Sequence, residues 1–148
     1  YEAPVSICYA TSNRSSVVRI PGYVKDPNKK RFEFRPSDAT SNPYLAYAAM
    51  LMAGIDGIKN KIDPRKENFG PYDINIFDLS DEERSKIGAL PASLDEALDC
   101  LEEDYEFLTE SGVFPESFIK NWIATKRKEA KAVTARPHPY EYELYYSF

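Results

Sequence analysis

Apolar residues fall in short extended runs at the start of the chain and at helical spacing from Asn42 onward. Val5 to Tyr9 is brief, apolar and strand-like. Ser16 to Ile20 is a second run, stopped by Pro21-Gly22. Lys25 to Lys30 reads as a charged turn. Arg31-Phe32-Glu33-Phe34-Arg35 then alternates strictly before Pro36 ends it. Successive side chains on a strand point to opposite faces. Phe32 and Phe34 therefore share one face, and Arg31, Glu33 and Arg35 the other.

Asn42-Pro43 predicts a helix start, with Asn as N-cap and Pro at the first helical position. Leu45, Ala48, Ala49, Met52, Ile55, Ile58 and Ile62 continue the helical period until Asp63-Pro64. A loop containing Gly70-Pro71 follows. Ser80 to Glu83 and Ser93 to Glu96 both match a capping box. The second opens a helix with Leu94, Ala97, Leu98, Leu101, Tyr105 and Leu108 on one stripe, closed by Gly112. Pro115 opens another helix, with Phe118, Ile119, Trp122 and Ile123 apolar and a basic stretch behind them, broken by Pro137 and Pro139. The tail holds Tyr140, Tyr142, Tyr145, Tyr146 and Phe148 and reads as a strand or short helix packed on its own domain, or as a partner-binding segment. Strands first and helices afterwards predict an α+β fold. Two or three short strands make a poor sheet alone. They are expected to be antiparallel strands of a larger active-site sheet of which this chain holds an incomplete part.

The 148 residues are 43% hydrophobic and 14% aromatic, enough to build a core and to exclude wholesale disorder. The length by itself predicts one domain. No apolar run approaches the roughly 20 residues of a membrane span, and the first residues lack the pattern of a secretory signal. The absence of a starting Met suggests processing or a piece of something longer. Cys8 and Cys100 have no Cys or His at metal-ligand spacing and are expected to be buried, reduced thiols of a cytoplasmic protein. The single His138 excludes an all-His metal site built from this chain. Charge is uneven. Residues 1–40 hold seven Lys/Arg and four Asp/Glu, a net of +3, whereas residues 41–148 hold twelve and twenty, a net of −8, within a total of −5. A small basic segment on an acidic chain predicts a local anion site and not a nucleic-acid surface.

The chemistry concentrates in that basic segment. Arg14, Arg19, Arg31 and Arg35 crowd between residues 14 and 35, with Glu33 among them. The planar guanidinium fork suits carboxylates and phosphates. A carboxylate among arginines either pairs with them or holds a divalent cation together with substrate phosphates. Several arginines and one glutamate suit phosphoryl transfer, which depends on positioning and charge stabilisation. No Walker sequence is present. A solvated outer strand face is the plainer alternative.

Five separated stretches resemble glutamine synthetase in that family's order. They are Asn13-Arg14-Ser15-Ser16-Val17-Val18-Arg19-Ile20-Pro21, Arg31 to Arg35, Ser41 to Ala49, Met52 to Lys61, and the ending from His138-Pro139 to Glu143-Leu144-Tyr145-Tyr146-Ser147, which resembles the end of bacterial type I enzymes. The resemblance implies ATP-dependent joining of ammonia to glutamate, with two divalent metals, Mg²⁺ or Mn²⁺, per site. It implies that Glu2 is a flap glutamate that closes the entrance and helps deprotonate ammonium. Arg14 would stabilise the γ-glutamyl phosphate and the transferring phosphoryl group beside substrate glutamate. Arg19 and Arg31 would contact ATP, Arg35 would bind glutamate, and Glu33 would ligate one metal. Residues 1–40 would then be flap and active-site strands, 41–135 the helical part and 136–148 an oligomerisation tail reaching a facing ring of a dodecamer. The chain resembles the C-terminal third of such an enzyme, so these residues alone are expected to form no glutamine. The resemblance leaves a γ-glutamyl ligase for another amine and a non-catalytic relative as alternatives. The latter predicts loss of the arginines or Glu33, and all are present. One departure is Asn75-Ile76-Phe77-Asp78-Leu79, where type I enzymes have a tyrosine that accepts an adenylyl group. Phe77 has no hydroxyl.

Overall fold

The computed structural model describes residues 4–146. They form two compact units, divided between Leu90 and Pro91. In the first unit, strands β1 (Ser6–Ala10), β2 (Ser16–Arg19) and β3 (Glu33–Phe34) make a sheet in the order β1-β2-β3. β2 and β3 pair antiparallel, Val18 opposite Phe34 and Arg19 opposite Glu33. β1 and β2 pair parallel, Tyr9 opposite Val18 and Ala10 opposite Arg19. The antiparallel expectation therefore holds for one pair and is corrected for the other. Parallel neighbours usually need a crossover of about a dozen residues or more. Here Thr11 to Ser15 makes the return, and the pairing carries a register irregularity between Ser6 and Tyr9. The α+β class stands.

The rest of the first unit closes over β1. Ile7 N donates to Gly88 O (2.7 Å), Tyr9 N to Phe69 O (2.8 Å), Tyr72 N to Tyr9 O (2.9 Å) and Leu90 N to Val5 O (2.8 Å). Gly70 makes this approach possible. Its φ is +133°, and a Cβ there would collide with the Tyr9 carbonyl oxygen. Beneath lies a core of Cys8, Ile76 and Ile87, flanked by Tyr72 and Leu79. Ile76 sits on a 3₁₀ turn, Ile76–Asp78, capped by the Asn75 side chain.

Helix α1 (Pro43–Lys59) starts where its sequence directs, with Asn42 Oδ1 accepting from the amides of Tyr44 and Leu45. It ends earlier than the apolar period, at Asn60, because Lys61 takes a left-handed φ of 53°. Met52 alone of its stripe is buried, while Ile55 and Ile58 stay exposed. Helix α2 (Asp81–Arg84) carries the complete Ser80–Glu83 capping box.

The second unit is helical. Ser93 caps α3 (Leu94–Glu103), but Glu96 reaches the Ala92 amide instead of closing the box on Ser93. The expected single helix from Leu94 to Leu108 breaks at Asp104-Tyr105, and α4 (Glu106–Thr109) follows. α3 packs on α5 (Glu116–Thr134). Leu98, Leu108, Phe114, Ile119, Ile123 and Ala130 are buried there. Arg127, on α5, holds Asp99 (2.6 Å), Glu102 (2.8 Å) and Asp95 (3.9 Å) of α3. The tail is helix α6 (Pro139–Tyr146), none of whose residues is buried. Of the two readings of the tail, the short helix is found, but none of its described residues is packed away in its own unit. Cys100 is exposed, so the expectation of two buried thiols holds only for Cys8. No helix among the described residues is long and apolar enough to cross a membrane.

Candidate active site

Four of the charged residues singled out in the sequence, Arg14, Arg19, Glu33 and Arg35, meet at the return loop between β1 and β2. Arg19, at the end of β2, lies opposite Glu33 of β3. This register puts both side chains on one face, and Arg19 Nη1 donates to Glu33 Oε2 at 3.0 Å. The Arg19 side chain is 16% exposed and that of Glu33 is 32% exposed. The pair is thus better shielded than an open surface bridge, whose contribution is about 0–1 kcal/mol. Arg19 Nε also donates to the carbonyl of Ser12 (3.3 Å), and Arg35 Nη1 donates to the carbonyl of Arg14. Two of the arginines therefore hold the loop from which Arg14 projects its exposed side chain.

Arg31 departs from this group. Its Nη2 donates to the Tyr23 hydroxyl at 2.8 Å, and its guanidinium lies 5.9 Å from that ring's centre. Only Glu33 and Phe34 form the ladder of β3, so Arg31 precedes the strand instead of standing on it. Phe32 lines an apolar groove with Ile7, Tyr9, Val18, Ile20 and Phe69. Glu2 lies outside the described residues.

The other side of the loop is held by residues that the sequence did not single out. Asp73 accepts from Thr11 twice, from its amide at 2.7 Å and its hydroxyl at 2.6 Å. These bonds hold the Asp73 carboxyl below its usual range, the hydroxyl bond most of all. Asn13 Nδ2 donates to the carbonyls of Tyr72 (3.4 Å) and Ile74. Its Oδ1 accepts from the amide (2.9 Å) and hydroxyl (2.8 Å) of Ser15. Asn13 and Ser15 carry the spacing of an Asx-turn, a signal readable in the sequence. Nothing local marks Asp73, which lies 62 positions from Thr11.

Mg²⁺ takes six oxygen ligands, usually one or two carboxylates together with waters and substrate phosphates. Among the described residues no group of three or more His, Cys, Asp or Glu is placed to hold a metal. Glu33 offers one carboxylate, already paired with Arg19. These residues do not fit a metal site by themselves.

The family model for the glutamine synthetase catalytic domain matches residues 1–145. The chain belongs to the glutamine synthetase catalytic-domain family. Over 147 residues it is 58% identical to the glutamine synthetase of Microchaete diplosiphon and 56% identical to that of a Nostoc strain, and over 146 residues 54% identical to that of Aquifex aeolicus. Each alignment covers 99% of this chain and 30% of the relative. The chain thus spans less than a third of these relatives' length. The glutamine synthetase of Plasmodium falciparum, solved by cryo-electron microscopy, superposes with a TM-score of 0.78 at 30% identity, covering 98% of this chain and 35% of that one.

Proposed function

We propose that this chain is the C-terminal part of an enzyme that joins ammonia to the side-chain carboxylate of L-glutamate at the expense of ATP. The convergence of Arg14, Arg19 and Arg35 on one five-residue loop, in a chain of this family, carries the reading. A glutamate oxygen attacks the γ-phosphorus of ATP, ADP leaves, and γ-glutamyl phosphate forms. Glu2 helps take a proton from ammonium, and the ammonia so formed attacks the acyl carbon as the bond to phosphate breaks. Arg35 binds the glutamate carboxylate. Arg19 and Arg31 hold the phosphates of ATP. Arg14, on its exposed loop position, offsets the charge that builds on the phosphoryl group and then on the tetrahedral intermediate. Fixed donors aimed at developing charge are commonly the largest contribution to catalysis.

The cofactor in this reading is Mg²⁺ or Mn²⁺, two per site. Glu33 contributes one carboxylate, and further oxygen ligands come from beyond the described residues. The protein is cytoplasmic and forms a homo-oligomer, a dodecamer of two stacked hexameric rings. The exposed Tyr140, Tyr142, Tyr145 and Tyr146 of α6 support a partner subunit as the surface that covers them. Deletion of residues 139–148 is then expected to separate the rings, and an intact dodecamer would count against this role. Phe77 cannot accept an adenylyl group, so an adenylyltransferase leaves this position unlabelled.

The test is glutamine formation by the full-length protein carrying Arg14→Ala or Arg35→Ala. Arg14→Ala is expected to lower kcat by about 10²–10³-fold, as loss of one oxyanion-type donor does. Arg35→Ala is expected to raise the KM for glutamate. Unaltered kinetics in both variants would refute the reading. A screen of amines in the same assay distinguishes ammonia from another acceptor.

A further inference from the structure

The loop bearing Arg14 has no long crossover to steady it, yet it is held on both sides. Arg19 and Arg35 grip the carbonyls of Ser12 and Arg14 from the sheet. From the opposite side, Asp73 takes both the amide and the hydroxyl of Thr11, the loop's first residue. Asn13, the residue before Arg14, is tied to the carbonyls that flank Asp73, those of Tyr72 and Ile74. The segment that carries Asp73 is itself anchored. Tyr72 N is bonded to Tyr9 O, and Ile76, three residues on, is 1% exposed in the core. The Asp73 side chain thus ties the loop that bears Arg14 to a packed segment.

We propose that Asp73 is a positioning residue for Arg14, setting the Thr11–Ser15 loop so that the Arg14 guanidinium meets the transferring phosphoryl group. The inference rests on the ligase reading above. Asp73 touches the loop and no reacting atom. Its effect comes from geometry, because a displacement of about 1 Å at a reacting centre can cost about a hundredfold in rate.

The experiment uses the full-length protein with Asp73→Ala, Asp73→Asn and Thr11→Val, each alone and combined with Arg14→Ala. Glutamine formation gives kcat and the KM values for ATP and glutamate, and thermal melting is followed alongside. Asp73→Ala is expected to lower kcat by about tenfold to a hundredfold while KM for ATP holds. Asp73→Asn keeps one carbonyl oxygen for the Thr11 amide and recovers part of the rate. In the Arg14→Ala background, Asp73→Ala adds no further loss, since residues acting through one group are not additive. If Asp73→Ala fails to fold, Thr11→Val removes only the hydroxyl bond and must show the same non-additivity. An equal loss with and without Arg14, or an unchanged kcat, overturns the positioning role alone. An Arg14→Ala enzyme of full activity overturns the assigned role of Arg14 and the positioning role with it.

Discussion

Truncation of Ile76 is the sharpest probe of how the first unit is held together. Ile76 is 1% exposed and packs with Cys8, Ile87, Tyr72 and Leu79. Ile76→Ala removes three carbons, about 2.4 kcal/mol at about 0.8 kcal/mol per buried CH₂. Cβ-truncated cores relax only partly, and the cavity raises the cost to about 3–4 kcal/mol. Ile76→Val removes one carbon and costs about 1 kcal/mol. Four amides report the opening, those of Ile7, Tyr9, Tyr72 and Leu90, because each bond ties β1 to residues 69–90. Hydrogen exchange at these amides should quicken by about 10²-fold or more in Ile76→Ala, at about 1.4 kcal/mol per tenfold. Ile76→Val should quicken them by roughly fivefold, and the four should move together. An Ile76→Ala change below about threefold would refute the burial argument, as would equal effects of Val and Ala.

The Thr11–Asp73 latch has a defined pH range. The Asp73 carboxyl is held below its ordinary value of 3.8, so its contribution is complete above that value and is lost as pH falls through the lower, folded value. Exchange at the Thr11 amide should therefore be protected at neutral pH and lose that protection only in acid, and loss already at pH near 6 would contradict it. In the second unit, Arg127→Gln leaves Asp95, Asp99 and Glu102 facing one another. It is expected to lower the melting temperature at low salt, and to lower it much less in about 1 M salt, because exposed charges are screened. A melting shift that ignores salt would assign Arg127 a packing role instead. The two thiols should react in a fixed order. Cys100 is exposed, while Cys8 is 4% exposed and burial pushes its thiol up. Peptide mapping after brief maleimide treatment should find Cys100 labelled first, and the reverse order would contradict the packing of β1.

Local chemistry carried the helix starts. Asn42-Pro43, Ser80 and Ser93 act on amides two or three residues away, so their sequence spacing already states the hydrogen bond. The same holds for the acidic and basic division of the chain and for the crowding of Arg14, Arg19, Glu33 and Arg35. Alternation placed Glu33 and Arg35 on one face, but it extended the strand too far and enlisted Arg31, which turns to Tyr23. The continuous stripe from Leu94 to Leu108 hid the break at Asp104-Tyr105, because a turn between two short helices can preserve the apolar spacing.

The sequence by itself determined the α+β class, the helix caps and the crowding of guanidinium groups between Arg14 and Arg35. Tertiary structure alone decided that β1 and β2 run parallel, that Arg19 pairs with Glu33, and that Asp73 holds the loop of Arg14. The physical reason is separation along the chain. Caps and periodicity act within one turn, and propensity encodes them. A strand register or a bond spanning 62 positions exists only after the core of Cys8, Ile76 and Ile87 has brought its two ends together.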